Sequence, residues 1–421
     1  MEKRTVIIGI DGVPFGLMNN LSEKGVMPHF KKLKNEGVFK KMRSSIPPIS
    51  SISWISIITG KNPGEHGIFG FMELMPKTYT LHFPNFNDVQ EKPFWLKKRN
   101  KKFAIINVPS TYPPKPLNGI HLSGFISLDL EKAVYPPELF PKLKEMNYQV
   151  DVDSSLAHQS MSLFLKKLNE TLEARIEAYR YLWKKEDWDV FMFVFTGTDR
   201  IGHFLWDAYR NKNHQYHADF LDHFNRIDKV IGEISKKLRK DDSLFMLSDH
   251  GMGKMKANVN INYFLKKRGF LDLDKNLKSY NQITEKTKAF ALEPARIYIH
   301  RQGKYPRGKV NKSQREKITK QLVEAFNSLK YENRKVIKKI YHKEEIYQGK
   351  CLNQAPDLVL LPRSGFRFRA NIDKETLFEK DVFSGEHTLD DSFLFVRSPQ
   401  IRDLPENLTV EDFVPLLEKT F

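Results

Sequence analysis

The chain contains little cysteine and no long apolar run. Cys351 is the only cysteine among 421 residues, so no disulfide can form within the chain. This usage is typical of proteins in a reducing compartment. No stretch approaches the roughly 20 apolar residues that a membrane-spanning helix needs, and the apolar run after MEKRT is too short for the core of a signal peptide. We therefore expect a cytoplasmic protein without a membrane span.

The chain also lacks Pro/Gly/Ser tracts and internal repeats. Apolar residues make up 40% and charged residues 29% of the sequence, which is typical of globular structure. At roughly 150 residues per domain the length would allow two or three domains. Because no linker divides the sequence, we instead expect a single domain over 1–421, with insertions between its strands at about 70–187 and 260–350.

Acidic residues are outnumbered by basic ones. Lysine and arginine total 69 against 51 aspartate and glutamate, a net charge of +18. A cationic surface favours encounter with anionic partners such as nucleic acid, lipid head groups or phosphorylated small molecules. Clusters such as KKLKNEGVFKK also fit the solvated faces of helices. In the basic region 262–345, we consider Arg296 and Lys304 as possible contacts of an anionic leaving group.

Apolar strand patterns alternate with helical ones along the chain. TVIIGI (5–10), WDVFMFVFTGTD (188–199) and SLFMLSDHG (243–251) each pair a β-branched or aromatic run with a following aspartate. Residues 160–185 carry apolar positions at helical spacing. Such alternation predicts an α/β fold around a mostly parallel central sheet.

Carboxylates and histidines follow several of these predicted strands. Asp11, Asp199 and Asp249 would meet in one crevice at the carboxyl ends of parallel strands, where mutual repulsion and burial favour a neutralising cation. Each alone has another explanation, such as a turn residue, a surface pair or a packed histidine. Together the residues indicate a site for two divalent metal ions. The candidate ligands are Asp11, Asp199, His203, Asp249, His250 and His387.

The segment PPISSISWISIITG offers a hydroxyl nucleophile. A buried helix is predicted to begin at Ser50 and end near Thr59-Gly60. A helix N-terminus stabilises both an alkoxide and a bound phosphoryl group. The alternative is an ordinary serine N-cap, and the pattern alone leaves open whether Ser50 or Ser51 is the nucleophile.

Several motifs occur in an order that resembles a known family. VIIGIDG, PPISSISWISIITGKNPGEHGIFGF, FTGTDRIGHFLW, LSDHGM and SGEHTLDDSFLFV stand between residue 6 and about 396. In these motifs the chain resembles the type I phosphodiesterase/nucleotide pyrophosphatase family of the alkaline phosphatase superfamily. The resemblance implies an alkaline-phosphatase-like three-layer α/β/α fold with inserted cap segments, and a metal-dependent phosphodiesterase acting on an anionic phosphate ester.

The resemblance also assigns roles to the candidate residues. It implies that one metal is held by Asp11, Ser50, Asp249 and His250, and the other by Asp199, His203 and His387. The family's nucleophile lies nine residues before the TG pair, which points to Ser50. We hypothesise that Ser50 attacks phosphorus and forms a phosphoseryl intermediate, which is then hydrolysed. Zinc suits the Asp/His ligands best, and manganese is the alternative.

Other activities stay open at this point. A phosphomonoesterase or a phosphate mutase of the same superfamily would use the same metals. From a different class, the basic chain would be a catalytically inactive nucleic-acid-binding protein. No stable nucleic-acid partner is expected, however, because the sequence lacks a recognised pattern of aromatic and basic residues for base stacking.

Overall fold

The computed structural model describes residues 3–127, 129–185 and 187–421. The chain forms two compact units. The first comprises Met1–Lys61, Asn85–Gly253 and Val382–Phe421, and the second comprises Asn62–Pro84 and Lys254–Asp381. Among the described residues, no helix has both the length and the apolar character needed to cross a membrane.

Strands and helices alternate over most of the chain. The strands are β1 (Thr5–Ile10), β2 (Val38–Met42), β3 (Glu73–Leu74), β4 (Leu81–His82), β5 (Phe103–Val108), β6 (Gly119–Ser123), β7 (Val134–Tyr135), β8 (Val190–Phe195), β9 (Ser243–Leu247), β10 (Gly251–Lys254), β11 (Ala257–Asn260), β12 (Ala289–Leu292), β13 (Arg296–Ile299), β14 (Lys330–Tyr331), β15 (Arg334–Lys335), β16 (Ile337–His342), β17 (Leu358–Pro362), β18 (Phe366–Arg369), β19 (Phe378–Glu379), β20 (Gly385–Thr388) and β21 (Ser392–Arg397).

The α-helices vary in length from one turn to seven. They are α1 (Phe15–Glu23), α2 (Pro28–Lys34), α3 (Ser50–Thr59), α4 (Pro63–His66), α5 (Phe94–Lys97), α6 (Phe140–Glu145), α7 (Leu156–Gln159), α8 (Met161–Lys185), α9 (Gly197–Arg210), α10 (His217–Lys237), α11 (Ile261–Lys267), α12 (Lys312–Asn327), α13 (Lys343–Ile346) and α14 (Phe413–Leu417).

The first unit is built on an eight-stranded sheet with the order β2-β21-β9-β1-β8-β5-β6-β7. Five consecutive strands, β9, β1, β8, β5 and β6, run parallel. β21 pairs antiparallel with both β9 and the edge strand β2, and the other edge strand, β7, pairs antiparallel with β6. Every residue of β1, β5, β8 and β9 is buried, as expected for strands covered on both faces. The predicted α/β fold with a mostly parallel central sheet is confirmed.

Helices bury apolar faces in the core of this unit. The long helix predicted over 160–185 is present as α8, and Leu168, Leu172 and Tyr179 on one of its faces are buried. The ring of Tyr179 stacks on Phe193 of β8, with centroids 5.5 Å apart. The α8 face thereby holds the strand that leads into the helix carrying Asp199.

The second unit has its own apolar core around two smaller sheets. β12, β13, β17 and β16 form one sheet, and β18, β11 and β19 form the other. The apolar run DLVLLP (357–362) supplies β17 of the first of these sheets. Arg296 is wholly buried, and its guanidinium donates to Glu293 O (2.8 Å) and Tyr298 Oη (3.1 Å). Our expectation that Arg296 meets an anionic leaving group is therefore wrong.

Candidate active site

The three candidate carboxylates lie at the carboxyl ends of three adjacent parallel strands. Asp11 directly follows β1, Asp249 lies two residues beyond β9, and Asp199 lies in the first turn of α9, just after β8. The strand order β9-β1-β8 makes these ends neighbours. All three side chains are buried, so residues that are 50 to 238 positions apart in the sequence lie together in a single crevice.

Gly12 allows these carboxylates to approach one another. Its φ is +69°, and a Cβ at this position would lie 2.8 Å from Asp199 Oδ1. The backbone amide of Gly12 donates to Asp249 Oδ1 at 3.1 Å. Only glycine adopts such a φ without strain and leaves room for the carboxylate. The turn after β1 therefore carries Asp11, hydrogen-bonds Asp249 and lies close to Asp199.

The three candidate histidines direct Nε2 into the same crevice. His250 Nε2 lies 3.3 Å from Asp249 Oδ2 and 3.8 Å from Asp11 Oδ1. Asp199 Oδ1 is 3.4 Å from His203 Nε2 and 3.2 Å from His387 Nε2. His387 comes from β20, and its Nε2 is 2.9 Å from that of His203. All the candidate ligands predicted from the sequence are thus brought together.

Each of these histidines is fixed through its other ring nitrogen. The Nδ1 atoms of His203, His250 and His387 lie 3.0 Å from the carbonyl oxygens of Gly385, Gly251 and Pro48, respectively. A proton on Nδ1 satisfies each carbonyl and leaves the Nε2 lone pair directed into the crevice. Metal-binding histidines are commonly held in this way.

Ser50 lies beside the acidic cluster. It is the first residue of α3, and Ile49 occupies the N-cap without a side-chain cap bond. Its Oγ is 3.1 Å from His250 Nε2 and 3.5 Å from Asp11 Oδ1. Ser51 Oγ is buried and has no hydrogen-bond partner in the part of the chain that the structure describes. The hydroxyl of Ser50, and not that of Ser51, therefore faces the candidate ligands.

Burial and mutual repulsion perturb the ionisable groups. Burial, together with the charges of Asp249 and Asp199, raises the pKa of Asp11 well above its ordinary value. Burial, joined by repulsion from Asp199, raises the pKa of Asp249 to about 7. Burial and the nearby His250 and His203 lower the pKa of His387 to about 4. Without an added cation, the crevice thus disfavours carboxylate charge on Asp11 and Asp249.

The pKa of Asp199 moves in the opposite direction. Burial alone would raise the pKa, but the neighbouring His203, His387 and Arg200 hold it well below the ordinary value. Asp199 is therefore a carboxylate under conditions in which Asp11 and Asp249 still bind protons.

The donor atoms suit divalent metal ions. Asp199 Oδ1 and Asp249 Oδ2 are buried without a hydrogen-bond partner among the described residues, which is costly unless another group satisfies them. Two groups of donor atoms each lie within 4.8 Å of one another, namely Asp199/His203/His387 and Asp11/Asp199/His250. Carboxylate oxygens and neutral imidazoles are ligands for zinc and related metals. Asp199 is common to both groups, whereas the resemblance assigned it to one metal only.

Two residues that hold the carboxylates are not among those predicted from the sequence. Arg200 donates through Nη1 to Asp199 Oδ2 at 2.8 Å and through Nη2 to Asp151 Oδ2 at 2.6 Å. Trp54 donates through Nε1 to Asp11 Oδ2 at 3.2 Å. Arg200 stands next to a predicted ligand, but its second partner is 49 positions away and the partner of Trp54 is 43 positions away. No local pattern reveals either pair.

Comparison with solved structures shows the fold. Phosphonoacetate hydrolase from Sinorhizobium meliloti 1021, in complex with phosphonoacetate, has a TM-score of 0.65 at 13% identity, covering 100% of this chain and 96% of that chain. Murine ectonucleotide pyrophosphatase/phosphodiesterase 5 has a TM-score of 0.58 at 13% identity, covering 99% and 94%. An inactive form of the murine protein in complex with AMP gives a TM-score of 0.58 at 13% identity, covering 100% and 95%. The alkaline-phosphatase-like fold is thereby confirmed.

The family is shown by the sequence itself. No curated protein sequence matches the chain. The model of the family described as type I phosphodiesterase/nucleotide pyrophosphatase, however, matches residues 5–390. That range contains every candidate ligand and Ser50. The chain therefore belongs to the type I phosphodiesterase/nucleotide pyrophosphatase family of metal-dependent phosphoric ester hydrolases.

Proposed function

We propose that this protein is a phosphodiesterase or pyrophosphatase in which Ser50 attacks the phosphorus atom of an anionic phosphate ester. The observation that carries the proposal is the position of Ser50 Oγ, 3.1 Å from His250 Nε2 and 3.5 Å from Asp11 Oδ1, at the start of a buried helix. A serine hydroxyl is a weak nucleophile unless a neighbouring group or a metal activates it. The surrounding carboxylates and imidazoles are suited to provide that environment.

Two divalent ions are proposed as cofactors, with zinc favoured and manganese as the alternative. The proposed ligands of one ion are Asp11, Ser50, Asp249 and His250, and those of the other are Asp199, His203 and His387. When bound, such ions lower the pKa of a coordinated hydroxyl and stabilise charge on the attacking and departing oxygens. The unpartnered oxygens of Asp199 and Asp249 support this assignment.

The chain itself contributes orientation and an anion-stabilising environment. Ser50 is first in α3, where amide groups at a helix N-terminus lack intrahelical acceptors and favour a phosphoryl group. In the proposed reaction, a bond forms between Ser50 Oγ and phosphorus while the bond from phosphorus to the leaving oxygen breaks. Water then cleaves the phosphoseryl bond and restores Ser50. The hydrogen bond from Trp54 and the Nδ1 bonds of the histidines keep the surrounding side chains in place.

A substitution pair tests the nucleophile. We expect Ser50→Ala to lower kcat for bis-p-nitrophenyl phosphate by roughly three or more orders of magnitude, as for loss of a covalent nucleophile. Ser51→Ala is the matched control and should retain most activity, because its hydroxyl has no partner in the site. Metal content, measured by inductively coupled plasma mass spectrometry, should stay near two ions per chain in both variants. Activity of Ser50→Ala equal to that of the wild type would remove Ser50 from the mechanism.

A substrate panel separates the related activities. Nucleotide diesters are included because one structural neighbour is in complex with AMP, and phosphonoacetate because another is a phosphonoacetate hydrolase. Faster hydrolysis of p-nitrophenyl phosphate than of the diester would instead identify a phosphomonoesterase, and transfer of phosphate without release would identify a mutase. Salt-sensitive binding of nucleic acid without hydrolysis under any divalent metal would favour the inactive binding protein.

Two other expectations stay predictions. The first is that 1–421 acts as a single catalytic domain with insertions near 70–187 and 260–350, which limited proteolysis of the active protein tests. The second is the cytoplasmic location expected from the single cysteine, which fractionation of the source cells tests.

A further inference from the structure

Four basic side chains of the second unit surround a single carboxylate. Arg315 Nη2 lies 2.8 Å from Asp357 Oδ1, and the Ile299 amide donates to Asp357 Oδ2 at 2.8 Å. Both oxygens of Asp357 are therefore occupied. Among the described residues, no carboxylate lies within ion-pairing distance of the other three basic groups, which are those of Arg301, Lys304 and Lys343.

These three basic groups converge on two successive carbonyls. Lys304 Nζ and Arg301 Nη2 share the oxygen of Asn353, at 3.3 and 3.5 Å. Lys343 Nζ donates to the neighbouring oxygen of Leu352 at 3.1 Å. Arg301 Nε is buried and has no partner among the described residues. The charge of Asp357 acts on both lysines, and that of Glu344 acts on Lys343, but four basic groups outnumber these two carboxylates, so the cluster carries excess positive charge.

The cluster is also partly buried. Lys343 is only 3% exposed, and Lys304 Nζ lies 5.6 Å from the ring centroids of both Tyr298 and Tyr305. Burial, together with the nearby Arg301, lowers the pKa of Lys304 to about 8. Burial likewise lowers the pKa of Lys343. A partly buried group of cations that outnumbers its neighbouring carboxylates is costly, and a bound anion would offset that cost.

We propose that Arg301, Lys304 and Lys343 form a binding site for a dianionic phosphate group, either inorganic phosphate or the terminal group of a phosphate monoester. A phosphate group offers several acceptor oxygens and two negative charges, which match an arginine fork and two lysine point charges. Arg315 stays paired with Asp357. The site shares no residue with the proposed catalytic centre. Phosphate binding here would therefore be a property beyond the proposed function, and it does not depend on whether the chain is a phosphodiesterase.

Equilibrium dialysis of the metal-loaded chain with labelled inorganic phosphate or glycerol phosphate tests the site. The wild type should bind one more phosphate group per chain than the double variant Arg301→Gln/Lys304→Gln. Lys317→Gln is the matched control, because Lys317 is an exposed lysine of α12, and this variant should bind like the wild type. Inhibition of hydrolysis by phosphate should be the same in all three proteins.

The two probes separate the sources of the ligand. Binding of inorganic phosphate supports a free-phosphate site, and binding of glycerol phosphate alone supports a monoester site. Equal stoichiometry in the wild type and the double variant for both probes would overturn the proposal. The proposal would also be overturned if the wild type bound neither small probe at this site while the double variant lost affinity for a single-stranded oligonucleotide.

A second measurement uses the wild type alone and does not depend on folding of the double variant. Lys304 should react with an amine-acylating reagent, and peptide mass spectrometry measures the rate of this reaction. Phosphate at a concentration that occupies about 90% of the sites should slow the reaction roughly tenfold. Acylation of Lys317 should not change. A rate at Lys304 that is independent of phosphate would overturn the site.

Discussion

Arg200 connects a candidate metal ligand to a separate loop. Replacing Arg200 by methionine would measure what these charged contacts contribute to stability and activity. Its guanidinium bonds Asp199 at 2.8 Å and Asp151 at 2.6 Å, and it lies 4.4 Å from the ring centroid of Phe125. Removing one partner of a buried ion pair costs about 3–5 kcal/mol. Because the side chain of Arg200 is 16% exposed and that of Asp151 is 11% exposed, we expect a loss near the lower end, about 3 kcal/mol.

Arg200→Met should also weaken metal binding and catalysis. Without Arg200, Asp199 loses the group that fixes its orientation, and loss of such a supporting contact typically costs about 10–100-fold in metal affinity or activity. We expect this decrease in both zinc affinity and kcat/KM. Arg200→Lys should recover only part of it, because an ammonium cannot form the same forked contacts to two carboxylates. Urea unfolding, zinc titration against a chelating indicator and steady-state kinetics provide the measurements.

Arg210→Met supplies the control, since Arg210 is an exposed residue of the same helix. It should change the free energy of unfolding by no more than about 0.5–1 kcal/mol, the range for exposed charges near a helix C-terminus. If Arg200→Met matched the wild type in zinc affinity and kcat/KM, the role given to the Arg200 contacts would be refuted.

Three further perturbations follow from the geometry. Gly12→Ala should lower kcat/KM by about tenfold or more, because a β-carbon 2.8 Å from Asp199 Oδ1 at a φ of +69° must displace that carboxylate; unchanged kinetics would contradict this. Trp54→Phe should cost about 1–3 kcal/mol in urea unfolding, because Asp11 Oδ2 loses a buried donor; unchanged stability would contradict it. His121 is buried against Trp95 and Phe86, and burial lowers its pKa to about 3. Because the unfolded chain binds a proton below about pH 6.5 and the folded chain does not, His121 should reduce stability by about 1.4 kcal/mol per unit as pH falls from 6.5 towards 3. His121→Leu should remove this part of the slope of unfolding free energy against pH, and an unaltered slope would show that His121 already binds a proton in the folded state.

The central strands and the approximate position of the site could be predicted from local sequence. TVIIGI is buried throughout as β1, so an uninterrupted apolar run ending at Asp11 identifies both an inner strand and the end at which the aspartate emerges. Ser50 and Gly60 mark the start and the left-handed end of α3 as predicted. These features depend on neighbours in the sequence, so local sequence patterns are sufficient to predict them.

Other features depend on partners that are distant in the sequence. The run DLVLLP has the composition of a core strand, but β17 pairs with β13 and β16 in the second unit. A strand pattern does not reveal which sheet the strand joins. The contacts of Arg200 with Asp151, and of Trp54 with Asp11, likewise require the tertiary fold. The basic cluster around Lys304 combines residues from three separate segments of the region expected to hold an insertion.

The positions of bound metal ions would show directly whether this crevice holds two divalent ions. Crystals of the zinc-loaded protein, measured at wavelengths on both sides of the zinc absorption edge, would give an anomalous difference map independent of any assumed ligand. We predict one peak among Asp199, His203 and His387, and a second among Asp11, Asp249 and His250 next to Ser50. Fully occupied zinc elsewhere, with no peak within coordination distance of these side chains, would contradict the account.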